Sequence, residues 1–339
     1  MNKTVKRTVT VIGCVLGVPV ALFLLIYLVL AIIGCASYGE ARALREYVCT
    51  IPETNSGFAP QGVTFCAERG SYILTGYGSD DTTLLYVVNG KDYERVPLRD
   101  ENDGVLKGHA GGVTCTDKYV YITGDCVLLQ FELDDIFSPP EGGAKVNRTI
   151  AVDNNASFCF NDGTNLYVGE FYREQNYKTS ESHHYTTPNG AENKAIASCY
   201  NLADFELKAF ASLQPYPLYC ISIPDLVQGF AVHGDTIVMS RSYGLKNSAL
   251  DFHADKKLSD KLVDVTFEKN VSALAAKALL YYVDDTTLDR TITLPAFSED
   301  ITIVDDRVVV TNESCANKYF VGKLFGANKV YSFPIETAD

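Results

Sequence analysis

Short runs of alternating apolar and polar residues recur through most of the chain, and they predict β-strands. One such element occurs five times, in most copies with Arg or Pro at one end. The alternation has period 2, which is typical of a strand with one buried face. The five copies are residues 45–52, 93–98, 148–152, 219–224 and 290–295.

After each copy, a turn leads into a strand rich in small residues. A second, tight turn then leads to a further strand. The small-residue strands are residues 62–65, 112–115, 157–160, 229–232 and 301–304. The strands after them are residues 72–75, 119–123, 166–169, 236–240 and 308–311. In several copies the pattern predicts a third strand, as at 84–88 and 329–333. A repeated unit of four short strands predicts an all-β fold, a β-propeller whose small-residue strands lie nearest the crowded axis.

The two ends of the repeat predict how the ring closes. The first copy, residues 45–52, precedes the first small-residue strand, and the last unit, which starts at Ile301, has no outer strand of its own. We therefore predict a five-bladed propeller in which residues 45–52 supply the outer strand of the last blade, because this arrangement leaves no free sheet edge. An open stack of hairpins or a β-sandwich is the alternative.

Two insertions interrupt the regular spacing. Glu174–Lys194 is a polar loop between the second and third strands of blade three, and Ala254–Leu280 lies in blade four. Within the second insertion, Val271–Leu280 combines good helix formers with apolar residues at helical spacing. This part is predicted to form a short helix on the rim of the propeller.

The N-terminal end has a different pattern. Lys3, Lys6 and Arg7 precede an uncharged run of 25 residues, Val9–Ile33, which is long enough to cross a bilayer as a helix. The positive charges before the run place the N-terminus in the cytoplasm. The sequence thus predicts a cytoplasmic stub and transmembrane signal-anchor over residues 1–36 and an extracytoplasmic propeller over 37–339. The alternative is a lipoprotein, because residues 32–35 resemble a cleavage box that ends at Cys35.

Charge and cysteine content limit the classes of partner and cross-link. All 42 acidic residues follow the apolar run, whereas only 26 of the 29 basic residues do, and such a surface repels nucleic acid and anionic lipid head groups. Eight of the ten cysteines lie between Cys49 and Cys315, which permits disulfides in an exported domain. Most of them lie in apolar runs where cysteine acts as a small buried residue, so no pairing is predicted.

Polar residues are predicted to converge at one mouth of the central channel. Because successive strands are antiparallel, the loops into the innermost strands and the loops after the second strands open on the same face. The candidate ligand-binding residues on these loops are Gln61, Tyr77, His109, Glu170, Tyr172, Arg173, His183, His184, Gln228, Arg241, Tyr243, Glu299 and Glu313. The insertion that carries His183 and His184 is expected to fold over this mouth.

These residue types favour ligand binding and leave an enzymatic alternative open. Concave sites with a few convergent polar groups are the usual place for ligands, so we predict that the mouth binds a small polar or glycan-like ligand without a cofactor. Glu170, Glu299 and Glu313 also suit acid–base chemistry or a cation such as Ca²⁺. The alternative is therefore a metal-assisted hydrolase or lyase that uses the same mouth. The chain has no Gly-x-Ser-x-Gly motif, phosphate-binding loop or dinucleotide fingerprint.

Several motifs carry a resemblance that extends over about residues 45–335. They are Pro60-Gln-Gly-Val-Thr64, Gly108-His-Ala-Gly-Gly112, Val168-Gly-Glu-Phe-Tyr-Arg173, Ser182-His-His-Tyr-Thr-Thr-Pro188, Val227-Gln-Gly229, Ser240-Arg-Ser-Tyr-Gly244 and Asn312-Glu-Ser314. Together they resemble an uncharacterised family of bacterial membrane-anchored or secreted propellers and, more distantly, gluconolactonase and quinoprotein-type propellers. The resemblance implies the fold but no activity, because the Glu, Asn and Asp metal ligands of such lactonases have no equivalent set in this ring.

Overall fold

The computed structural model describes residues 17–30, 32–33, 37–319, 322–324 and 328–336. Its helices are α1 (residues 17–30), α2 (Gly39–Leu44), α3 (Leu133–Phe137) and α4 (Leu202–Phe210), with short 3₁₀ helices at Glu181–His183 and Gly322–Leu324. Strands are numbered β1 to β26 along the chain.

Five four-stranded antiparallel units form the blades, and in each the first strand lies at the axis and the fourth at the outer edge. Blade one contains β2 (Ala59–Cys66), β3 (Ser71–Tyr77), β4 (Thr83–Asn89) and β5 (Asp92–Val96). Blade two contains β7 (Val113–Cys115), β8 (Tyr119–Gly124), β9 (Val127–Glu132) and β11 (Arg148–Ala151). Blade three contains β12 (Phe158–Asn161), β13 (Asn165–Gly169), β16 (Ala195–Asn201) and β17 (Tyr219–Ile223).

Blade four contains β18 (Val227–His233), β19 (Thr236–Arg241), β20 (Ser248–His253) and β23 (Leu288–Leu294). Blade five contains β24 (Ser298–Val304), β25 (Arg307–Asn312), β26 (Lys329–Pro334) and β1 (Glu46–Thr50). Two short pairs complete the strands: β6 (Leu98–Arg99) with β10 (Ala144–Lys145), and β14 (Tyr185–Thr186) with β15 (Glu192–Asn193). The innermost strands pack in a closed cycle, β2 on β7, β7 on β12, β12 on β18, β18 on β24 and β24 on β2, which confirms the predicted five-bladed propeller.

The N-terminal strand closes the ring as predicted. β1 runs antiparallel to β26, with Tyr47 opposite Tyr331 and Thr50 opposite Lys329. Cys49 is fully buried and Ile51 is 2% exposed, and both belong to a core cluster shared with blade one. Closure therefore rests on hydrogen bonding along the edge of β26 together with burial of apolar side chains.

The predicted helix at Val271–Leu280 is wrong. Residues Ala276–Tyr282 form β22, which pairs with β21 (Lys257–Val265) and lies parallel to β17, so this hairpin extends blade three to six strands. Every second residue of β22 from Ala278 to Tyr282 is buried. The free edge of β17 offers backbone partners that an isolated segment lacks, and this tertiary context overrides helix propensity.

The predicted anchor is only partly within the described residues. Helix α1 exposes large apolar side chains around its whole circumference, among them Val18, Leu24, Leu25 and Leu28. Considering the described residues alone, no helix has both the length and the apolarity expected of a membrane span. Part of the predicted span 9–33 and the whole alternative lipidation site at Cys35 lie outside the described residues.

Glycine allows neighbouring blades to approach each other closely at the axis. A Cβ atom placed on Gly112 would lie 2.5 Å from the backbone nitrogen of Cys159, and one on Gly229 would lie 2.6 Å from that of Ile301. Both contacts join the innermost strands of different blades. This crowding explains why the small-residue strands form the inner ring.

Candidate functional site at the channel mouth

A cavity of about 780 Å³ opens at one mouth of the central channel, and all five blades contribute to its lining. Seven of the thirteen residues predicted for the mouth line this cavity. They are Gln61, Tyr77, His109, Gln228, Tyr243, Glu299 and Glu313. Residues that lie far apart in the sequence therefore meet at the mouth because the blades share one axis.

Glu299 and Glu313 form a carboxyl pair in the cavity wall, 4% and 7% exposed. Glu313 accepts hydrogen bonds from Gln61 Nε2 at 2.9 Å and from Tyr319 OH at 2.7 Å, and Lys318 Nζ lies 3.3 Å away. These donors suit an ionised Glu313. Burial, followed by the charge and hydrogen bond of Glu313, raises the pKa of Glu299 well above its ordinary value. We therefore expect the pair to share a single proton, carried by Glu299.

The shared proton makes a testable prediction about pH. A carboxyl group whose pKa is higher in the folded than in the unfolded protein stabilises the fold at low pH, and this contribution is lost as the pH rises through the folded-state pKa. Glu299→Gln keeps the neutral hydrogen-bond donor and removes the titration. The variant should therefore gain stability relative to wild type as the pH rises above about 4.5, the ordinary pKa of the group. Urea titrations across a pH series measure this difference, and parallel pH profiles for the two proteins would contradict it.

Aromatic rings form much of the rest of the wall. The rings of Tyr77 and His109 stack with centroids 4.5 Å apart, and the ammonium group of Lys318 lies 4.4 Å from the centre of the Tyr77 ring. Phe297 packs against Tyr319 with ring centroids 4.4 Å apart. The cavity thus combines flat apolar surfaces with carboxyl, amide and ammonium groups, a mixture that suits a ligand with both apolar and hydroxyl-bearing faces.

Asp300 lies beside the carboxyl pair and joins three blades. Its side chain is fully buried, and Oδ2 accepts hydrogen bonds from the backbone nitrogens of Val63 at 3.2 Å and Val113 at 3.4 Å. Burial raises the pKa of Asp300 well above its ordinary value. Because it connects β24 to the innermost strands of blades one and two, we assign it a structural role.

Glu170 and His183 lie outside the cavity lining, as a buried pair 1% and 3% exposed. His183 Nδ1 lies 3.0 Å from Glu170 Oε2, which also accepts a hydrogen bond from the backbone nitrogen of Ile196. Burial opposes protonation of His183, but the hydrogen bond and charge of Glu170 outweigh it, so the pKa of His183 is raised. The pair fixes the blade-three insertion to the body of the blade.

The remaining predicted residues also lie outside the lining. The guanidinium group of Arg173 lies 3.9 Å from the centre of the ring of Tyr243, which does line the cavity. Tyr172 packs edge-on against His184 and hydrogen-bonds to Glu174. Adjacent residues in the insertion thus point in different directions, His183 inward and His184 outward.

Arg241 contacts its own blade instead of the mouth. Its guanidinium group pairs with Asp251 on the neighbouring strand, and Asp251 is 1% exposed and also accepts a hydrogen bond from Thr291 Oγ1. The prediction placed Arg241 at the mouth because it ends β19. A buried carboxylate beside it on β20 holds the side chain within the sheet.

The sequence analysis missed several lining residues, which include Lys107, Tyr177, Phe297, Lys318 and Tyr319. Lys318 and Tyr319 lie in the long connection between β25 and β26, several residues after the strand end. No motif marks them.

Within the described residues, no group of three or more His, Cys, Asp or Glu side chains is placed to hold a metal ion.

Comparison with known proteins gives similarity of fold alone. No protein-family model matches the chain, and no curated protein matches it. Among solved structures, a GH43_1 enzyme from Xanthomonas citri shares 9% identity at a TM-score of 0.41, covering 88% of this chain and 93% of that one. BamB from Moraxella catarrhalis shares 6% identity at a TM-score of 0.34, covering 83% of this chain and 84% of that one. A glucose dehydrogenase shares 8% identity at a TM-score of 0.35, covering 87% of this chain and 99% of that one.

Proposed function

We propose that this protein is a membrane-anchored, extracytoplasmic β-propeller that binds a glycan-like ligand at the mouth of its central channel. The observation that carries the proposal is the cavity of about 780 Å³ to which all five blades contribute. A ligand of this class offers apolar C–H faces to aromatic rings and hydroxyl groups to amides and carboxylates.

In the part of the cavity wall around Glu299 and Glu313, the charges favour contact with uncharged groups of a ligand. Glu313 is balanced by Lys318, and Glu299 is expected to be neutral beside it. Gln61 and Gln228 add uncharged hydrogen-bonding groups to the wall. Hydroxyl groups can donate to Glu313 and accept from Lys318 or the amides, so a polyhydroxylated ligand can use this pattern without burying an unpaired charge.

The anchor is the second part of the proposal. Support comes from the uncharged run Val9–Ile33 and from the apolar side chains that α1 exposes on all sides, since a helix that is apolar all round is normally buried in protein or lipid. The basic residues before the run support an extracytoplasmic position for the propeller.

Binding can be tested with the full chain and a panel of neutral oligosaccharides. His109 lines the cavity and stacks on Tyr77, whereas His184 is also exposed but does not line it. We expect His109→Ala to weaken binding of the tightest saccharide about tenfold, roughly the 1.4 kcal/mol that an aromatic contact can supply. His184→Ala is the matched control and should leave the affinity unchanged in isothermal titration calorimetry. Equal effects of the two variants would remove the mouth as the binding site.

Acid–base catalysis at the same mouth is the second candidate function, and the Glu299–Glu313 pair favours it. A neutral carboxyl group beside an ionised one supplies both a proton donor and a proton acceptor.

The metal-assisted form of this hydrolase or lyase hypothesis stays a prediction and has a simple test. A centre that needs Ca²⁺ would lose stability on chelation, whereas a metal-free binding module should show the same Tm with EDTA and with added Ca²⁺, within about 1 °C.

A further inference from the structure

Helix α2 lies in the groove between blades four and five and connects the two faces of the propeller. At its start, Tyr38 OH donates a hydrogen bond of 2.7 Å to Asn247 Oδ1. Asn247 belongs to the loop between β19 and β20, the loop whose Tyr243 lines the cavity. At the end of α2, Arg307 Nη2 donates to the carbonyl oxygen of Leu44 at 3.0 Å, and Arg307 follows the turn from β24 to β25 on the opposite face.

The chain therefore reaches α2 from the mouth side. Apolar contacts hold this path in place, because Tyr38 is 7% exposed, Ala41 is 4% exposed, and both belong to the core cluster that contains Leu294 and Phe333. The predicted membrane span ends at Ile33, and only four peptide units separate residue 33 from residue 37. Four units reach at most roughly 14 Å, so the mouth face is the one held close to the membrane.

The rim of the mouth carries exposed apolar side chains on loops of three different blades. Val105 is 63% exposed, Tyr177 is 44% exposed and Leu245 is 62% exposed. Each is accompanied within two residues by an exposed lysine: Lys107, Lys178 and Lys246 respectively. Apolar and aromatic side chains beside lysine are typical of protein surfaces that rest in the head-group region of a bilayer.

We propose that the mouth faces the bilayer, with Val105, Tyr177 and Leu245 at the lipid surface, and that the cavity takes the glycan-like head group of a molecule carried by the same membrane. This inference rests on the proposed anchor and the proposed ligand class. It adds the direction from which the ligand arrives: from the plane of the membrane and not from bulk solvent.

Site-directed fluorescence quenching in vesicles tests the orientation. The full chain is reconstituted into phosphatidylcholine vesicles whose head groups carry a nitroxide quencher, and a fluorescent label is placed on Leu245→Cys or on Asp235→Cys. Asp235 is exposed in the turn between β18 and β19 of the same blade, on the face away from the mouth. The unsubstituted chain, treated in the same way, corrects for label on native thiols. We expect quenching at least five times stronger at position 245, and equal or stronger quenching at position 235 overturns the inference.

Two further readouts separate this inference from the function on which it rests. Flotation of the vesicles reports the anchor: a chain that does not float refutes both the anchor and the orientation, whereas a floating chain that is quenched at position 235 refutes the orientation alone. The second readout is competition. A glycolipid in the same vesicle should displace a bound free oligosaccharide of the same head group at a total concentration at least tenfold lower than that sugar in solution. Equal potency would show that the ligand arrives from solvent, while saccharide binding itself would stand.

Discussion

Gly229→Ala should lower the free energy of unfolding by about 3 kcal/mol, the upper part of the range for overpacking a close-packed interior. The new methyl group would lie 2.6 Å from the backbone nitrogen of Ile301 and 2.7 Å from Cα of Asp300. Both atoms belong to the main chain of the neighbouring blade, so no side-chain rotation can relieve the contact. Either β18 or β24 must move away from the axis, and the hydrogen bonds of Asp300 to blades one and two would be strained.

Gly39→Ala is the matched control. Gly39 begins α2, and a methyl group there meets no atom within 4 Å. Its effect on the free energy of unfolding should stay within about 0.5 kcal/mol, as is usual for a surface substitution. Urea denaturation followed by circular dichroism gives both values. If the two alanine variants were equally stable, the innermost strands of blades four and five would not pack as closely as the propeller requires.

Glu313→Leu should lower the free energy of unfolding by about 2 kcal/mol, because it removes the acceptor for three donors at once. Gln61 and Tyr319 would lose their hydrogen bonds, and Lys318 would lose its counter-charge. Glu299 can replace part of this interaction by ionising, so the double variant Glu299→Gln/Glu313→Leu should be less stable than the sum of the single effects. Such coupling is expected when two residues belong to one network.

Asp264→Ala supplies the control for this second prediction. Asp264 pairs with Lys277 on the surface, where the side chains are 56% and 59% exposed. Exposed ion pairs contribute at most about 1 kcal/mol and often nothing measurable, so the change should stay below about 0.5 kcal/mol. A loss at Glu313 no larger than that at Asp264 would mean that the carboxyl pair is solvated instead of buried.

The repeat made most of the fold predictable from the sequence. Period-2 alternation located the inner, second and outer strands of every blade. Residues 45–52, the copy of the outer-strand element that precedes the first blade, correctly predicted the closing strand. The segment Val271–Leu280 was misjudged because its alanines and leucines favour a helix in isolation. Only the edge of β17, which is distant in the sequence, makes it a strand.

The candidate site was most predictable where strands that end at the mouth fix a side chain. Gln61, Tyr77 and Glu299 belong to β2, β3 and β24 and line the cavity, whereas His109 lines it from the loop before β7. Arg241 also follows a strand, but the buried Asp251 on the neighbouring strand holds it away from the mouth. Lys318 and Tyr319 were missed because their position depends on the path of a long loop, which alternation of apolar and polar residues does not encode.

A crystal structure of the full chain bound to the tightest saccharide from the panel tests most directly whether the channel mouth is the binding site. We expect electron density for the sugar in the channel mouth, with hydroxyl groups within hydrogen-bonding distance of Glu313 and a ring face against Tyr77 or His109. Density on the outer edge of a blade, or a mouth left empty while the sugar binds elsewhere on the protein, would contradict it.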